Sequence, residues 1–173
     1  VANGTGQFVI NGSGSAYRKV AASGFATGAK TAGHYQLVVE FSEWNLDSTS
    51  KGALGFEVVD TNGKRVVALH LYPESALESK IRLSAVSATG YQGRGYDFAG
   101  HLSSIATNVP TRVVVDFNLD TDTVIYLING TQLKVVSDFS ATSLSHLKFF
   151  TDAKWSKQNS VSILSLIHIS EPT

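Results

Sequence analysis

Residues 111–130 read TRVVVDFNLDTDTVIYLING. Val113, Val115 and Phe117 fall on alternate positions, Asp120-Thr121-Asp122 supplies a polar turn, and a second alternating run closes at Asn129-Gly130. A period of two on both sides of a short turn predicts an antiparallel hairpin with one buried face. The same pattern extends outward through most of the chain. Upstream, residues 34–42 put Tyr35, Leu37, Val39 and Phe41 on one face, and residues 53–60 run into Asn62-Gly63. That dipeptide is a strong hairpin signal, and residues 64–72 answer it as the partner strand. Further strands are expected at 7–10, 17–21, 79–87, 145–151 and from Ser160 onward, with Pro73 and Pro110 at strand borders. The chain therefore reads as an all-β sandwich. Two stretches depart from the pattern. Residues 88–104, TGYQGRGYDFAGHLSSI, have no period and read as a long loop, while 139–144 reads as one short helical turn.

Composition narrows the class of partner. A chain of 173 residues is a normal size for one domain and buries a real core without staples. Fourteen basic and fourteen acidic residues cancel, and charged residues make up only 16%, which argues against nucleic acid or an anionic membrane as partner. There is no cysteine, so disulfides and thiolate metal sites are excluded. No apolar run approaches the ~18–20 residues that span a bilayer. Low charge with abundant Gly, Ser, Thr and Asn suits a secreted or cell-surface protein, and the absence of an initiating methionine suits a piece of a longer one.

The order of strands, the segment DFNLDTDTVIYLING (116–130) and the ending LKFFTDAKWSKQNSVSI (147–163) resemble the concanavalin A-like lectin/glucanase superfamily. The nearest flavour is the laminin-G-like domain of secreted bacterial proteins. The resemblance covers nearly all of residues 1–163 and implies a jelly-roll sandwich of two antiparallel sheets, carried by lectins, glycan-binding appendages, glycoside hydrolases and polysaccharide lyases alike. Residues 164–173, LSLIHISEPT, are a separate matter: they resemble the translation of a transposon adapter used in sequencing libraries, which implies a non-native tail.

Strand parity yields one constellation of polar residues. With Leu37, Val39, Phe56, Val58, Val67, Leu69, Leu71, Ile81 and Leu83 facing a core, Glu40, Glu57, His70, Tyr72 and Arg82 face the other way. If their strands are neighbours, these five share one sheet face. Carboxylates, an imidazole, a guanidinium and a phenol suit a saccharide, whose hydroxyls take donors and acceptors and whose C–H face takes an aromatic ring. The alternative is a solvated outer face with weak ion pairs worth roughly 0–1 kcal/mol each. Tyr91, Arg94 and Tyr96, spaced by glycines, form a second candidate platform for a sugar ring and an anionic group. Trp44 and Trp155 read as packing at the rim. Asp120 and Asp122 are candidates for a structural calcium, although a hairpin turn explains them without metal.

Two enzyme classes can be compared with these residues. Hydrolases of this superfamily carry closely spaced acidic strand motifs, and none occurs here. Jelly-roll alginate lyases carry an Arg-rich strand, a Gln-Ile-His strand and a late Tyr-Phe-Lys-x-Gly-x-Tyr segment. Ala68-Leu69-His70 is similar to the second at His70 alone, residues 147–155 lack the tyrosines, and the strand at 36–40 has no arginine. The leading expectation is a non-catalytic glycan-binding module fused to other domains. The others are a polysaccharide lyase-like enzyme acting on an acidic glycan through His70, Tyr72 and Arg82, and a structural adhesion or spacer domain without ligand.

Overall fold

The computed structural model describes residues 19–24, 29–45, 53–73, 78–93, 96–106, 109–151 and 160–166. In chain order the strands are β1 (Lys19–Gly24), β2 (His34–Asn45), β3 (Leu54–Val59), β4 (Arg65–Pro73), β5 (Glu78–Gly93), β6 (Tyr96–Ala106), β7 (Thr111–Asn118), β8 (Thr123–Ile128), β9 (Thr131–Val136), β10 (His146–Thr151) and β11 (Ser160–Leu166). They form a six-stranded sheet, β1-β10-β3-β4-β5-β6, and a five-stranded sheet, β11-β2-β7-β8-β9. Every pairing is antiparallel. No helix among the described residues is long and apolar enough to cross a membrane. The expected strand at 7–10 lies outside the described residues.

The two sheets bury the faces that alternation assigned to the core. Leu54, Phe56 and Val58 of β3, Val67, Leu69 and Leu71 of β4, and Ile81 and Leu83 of β5 are buried together with Leu37, Val39 and Phe41 of β2 and Val113, Val115 and Phe117 of β7. Burying each such side chain contributes about 1.5–3 kcal/mol before entropy is counted. An aromatic pair ties the layers, Phe41 of one sheet meeting Phe56 of the other edge-on at 6.2 Å; within the five-stranded sheet Phe117 stacks obliquely on Tyr35 at 5.9 Å. Tyr126 of β8 is fully buried, and desolvation raises its phenol far above the ordinary value, so it stays neutral.

The segment 111–130 is a β7–β8 hairpin, with Asn118 Oδ1 accepting the Asp120 and Thr121 amides at 2.8 and 3.1 Å. Asn129-Gly130 is the turn into a further strand, β9, which periodicity did not indicate. Both residues have positive φ (49° and 79°), the geometry of the two-residue turns that fit strand twist. Register slips between Tyr126 and Leu127, so the alternation of β9 is out of step with its partner. In addition, Lys134 sits where a core residue is expected; its ammonium donates to the Gly100 carbonyl of β6 at 3.0 Å, clasping the two sheets at one edge.

Two expectations are corrected. Residues 88–104 are no open loop: β5 continues to Gly93 and pairs with β6 from Tyr96 onward. The pattern escaped notice because the register breaks between Val86 and Tyr91, and because the edge strand β6 exposes Gly100, Leu102 and Ser104. Residues 139–144 form no helical turn; Phe139 and Leu144 make isolated bridges to Ser87 and Lys30, and both side chains are buried. β11 extends through Leu166 by pairing with β2, so residues 164–166 belong to a strand.

Gly33, just before β2, has φ +106°, donates its amide to Asp120 Oδ1 at 3.1 Å and accepts the Leu119 amide at 2.9 Å. A Cβ there would lie 2.9 Å from the Tyr35 hydroxyl oxygen. That hydroxyl is held by donation to the Ala32 carbonyl at 2.5 Å, so it has little room to give. Gly33→Ala is expected to destabilise the domain by about 1–3 kcal/mol. A lower urea midpoint at unchanged slope is the measurement that checks it.

Candidate functional site

Registers across the six-stranded sheet place the outward side chains in rows. One row runs Gly55, His70, Arg82, Leu102 and the next Glu57, Ala68, Ser84, Gly100. Beyond His70, Tyr72 lies beside Lys80 and Ser104. Antiparallel alternation alone produces this face, since the intervening residues fill the core. Gly55, Ala68 and Gly100 keep the ground between the polar side chains low.

Four of the predicted residues meet here, in one connected chain. His70 Nε2 lies 3.0 Å from Glu57 Oε1, and the Tyr72 hydroxyl lies 3.3 Å from His70 Nδ1. The Arg82 guanidinium sits 5.3 Å from the centre of the Tyr72 ring, a cation–π distance. Arg65, which sequence reasoning passed over, reaches Glu57 Oε1 at 3.4 Å. An ionised carboxylate only accepts, so His70 Nε2 donates to Glu57, and in the tautomer without a proton on Nδ1 that nitrogen accepts from Tyr72. The Tyr72 oxygen then keeps lone pairs for an outside donor. His70 is buried, Glu57 and Tyr72 are partly buried and Arg82 is exposed, so a fixed base supports an accessible ring and cation.

Glu40 is a correction. It belongs to β2 in the five-stranded sheet, where its Oε1 pairs with Arg112 Nε at 3.1 Å. Alternation sets which way a residue points but not which sheet holds it, and β2 joins β7 and β11, never β3 or β4. On the same outer face Asp116 is held by His34 Nε2 at 2.5 Å and Gln36 Nε2 at 2.6 Å. Tyr91 and Tyr96 lie on the paired ends of β5 and β6, with Tyr96 opposite Gly93. Arg94 and Trp155 lie outside the described residues, and Trp44 is placed in β2 opposite Val161. Asp120 and Asp122 shape the β7–β8 turn: Asp120 holds the Gly33 amide, and Asp122 has φ 53° with its carbonyl accepting the Phe139 amide. Among the described residues no group of three or more His, Asp or Glu side chains converges as a metal site would.

No protein-family model and no curated protein matches the chain. Solved structures match in fold. The carbohydrate recognition domain of Emp47p superimposes with a TM-score of 0.65 at 13% identity, covering 96% of this chain and 84% of that one. The corresponding domain of Emp46p, in a potassium-bound form, gives 0.59 at 16% identity, covering 94% and 82%. An alginate lyase from Pseudomonas aeruginosa gives 0.60 at 8% identity over 82% of this chain, which spans 66% of that enzyme's chain. The chain therefore has the concanavalin A-like jelly-roll fold. At these identities the likeness extends to the fold alone.

Proposed function

We propose that this domain binds a glycan, without transforming it, on the outer face of the six-stranded sheet. The observation that carries the reading is the chain Glu57–His70–Tyr72–Arg82. A partly buried carboxylate and a buried imidazole fix a phenol, whose ring and oxygen stay within reach of a ligand beside an exposed guanidinium. Rigid polar groups around an aromatic ring are what saccharide hydroxyls and C–H faces need, and fixing them in advance lowers the entropic cost of binding. The fold shared with carbohydrate recognition domains supports the same reading. In this reading the domain is a module of a longer exported protein and holds its neighbours near a polysaccharide.

A second reading rests on the contact between His70 Nδ1 and the Tyr72 hydroxyl. An imidazole that accepts a phenolic proton prepares a base for β-elimination, and Arg82 beside the ring can neutralise a uronate carboxylate. The test is a glycan-array screen of the whole chain, with calcium and with chelator, monitored for the absorbance of unsaturated sugar. Saturable binding without product is the expected result, and loss of binding in chelator would add a calcium requirement. Steady growth of product establishes the lyase instead. A folded domain that neither binds nor cleaves is a spacer, and the proposal falls.

A further inference from the structure

Arg82 projects from the outer face of the six-stranded sheet, on β5 between β4 and β6. Register sets its surroundings. His70 and Leu102 lie directly opposite it, Tyr72 and Ser104 lie on diagonals, and Lys80 and Ser84 flank it along β5. The other two diagonal places hold Ala68 and Gly100. None of these positions carries a carboxylate. Glu57 lies on β3, beyond β4, and its Oε1 is shared by His70 at 3.0 Å and Arg65 at 3.4 Å. Among the described residues no carboxylate pairs with Arg82, whose guanidinium is held instead 5.3 Å from the centre of the Tyr72 ring. A π face orients the cation without neutralising it, so its N–H donors remain for a ligand. Leu102 is the second unassigned feature. It is 53% exposed, a large apolar side chain on the same outer face, with the open ground of Gly100 beside it.

We infer that this face selects an acidic glycan, whose anionic group pairs with Arg82 while the C–H face of the same sugar rests on Leu102. The inference rests on the glycan-binding reading above and adds to it the charge of the ligand and a residue, Leu102, that sets its seat. Neighbouring strands run ~4.7–4.9 Å apart, so the cation and the leucine opposite it fall within the width of one sugar ring. Ser104, exposed on the diagonal from Arg82, offers that sugar a hydroxyl partner. The next sugar then reaches the Tyr72 side of the guanidinium. An exposed ion pair discriminates weakly when both partners must be ordered. Here an aromatic ring already orients the guanidinium, and its planar fork matches the paired oxygens of a carboxylate or sulfate, so less freedom is lost on binding.

Isothermal titration of the whole chain tests it, with tetragalacturonate, its neutral methyl ester and a sulfated galactan tetrasaccharide as probes. The ester keeps the shape of the sugar and removes its charge. Tetragalacturonate is expected to bind about tenfold more tightly than the ester at low salt, the gap narrowing as salt is raised. A sulfated probe that binds as well as the uronate assigns the site to anionic sugars in general, and one that does not assigns it to uronates. Arg82→Gln is expected to erase the gap and its salt dependence while leaving the ester within about twofold. Arg82→Lys, which keeps the charge without the fork, restores part of the gap. Leu102→Ser is expected to weaken acid and ester alike by about threefold to fivefold. Both side chains are exposed, so neither substitution disturbs the core. Equal binding of acid and ester, an acid preference that survives Arg82→Gln, or array hits confined to neutral glycans overturns the inference and leaves the glycan-binding reading standing. An array without hits, and no titration by any probe, overturns both.

Discussion

Phe56→Ala will cost the domain about 3–5 kcal/mol, the usual range for a fully buried phenylalanine. For a chain of this length that corresponds to a fall in Tm of roughly 10–15 °C. Phe56 is wholly inaccessible at the centre of β3, with β10 on one side and β4 on the other. Its ring is the partner of Phe41 across the gap between sheets. Truncation removes both the transfer term and an edge-to-face contact, and the neighbouring Leu69 and Leu71 are held by their own strands and cannot collapse into the space. Phe56→Leu keeps most of the volume and is expected to cost less than half as much. Urea unfolding of the three proteins measures this directly. A cost below about 1.5 kcal/mol for the alanine variant would mean that the two sheets are not packed through this ring.

Tyr72→Ala is the complementary experiment, with a large effect on binding and a small one on stability. The ring is half-buried on the outer face, so its loss leaves the core intact and the Tm within a few degrees of the parent. Binding of the best glycan from the array is expected to weaken about thirtyfold, the scale of an aromatic anchor at the centre of a site. Tyr72→Phe retains the platform but loses the hydroxyl that meets His70 Nδ1, and an intermediate loss of about fivefold is expected. Isothermal titration of the two variants separates ring from hydroxyl. Unaltered affinity in Tyr72→Ala would remove the sheet face from the binding account.

The comparison of these residues with the sequence is instructive because success and failure have separate causes. Core parity was legible in β2, β3, β4 and β7, since one apolar face against one polar face leaves a period of two in the chain. The polar cluster followed from that parity for Glu57, His70, Tyr72 and Arg82, whose strands are consecutive neighbours in one sheet. Glu40 has the same parity, yet sheet membership depends on long-range pairing that no local pattern records. Arg65 escaped because a register shift between Val58 and Val59 turns the start of β4, and parity counted from Val67 does not reach it. The Asp116 cluster was missed for a related reason: Gln36 opposite Asp116 becomes visible only once β2 and β7 are known to pair. β6 was hidden by the small and polar residues of an edge strand, and β9 by a bulge and an inward lysine.

That lysine has a meaning beyond the bond it makes. From 123 to 136 the chain reads TVIYLINGTQLKVV, with no proline and Lys134 as its one charged residue. Such a stretch, presented as an edge strand with Val135 half exposed, has the composition of a segment that adds strand upon strand from other molecules. A second chain docking along β9 would have to desolvate the ammonium or pull it from the Gly100 carbonyl of β6. Lys134 thus fits the place of a gatekeeper, a single charge set in an otherwise uncharged edge strand.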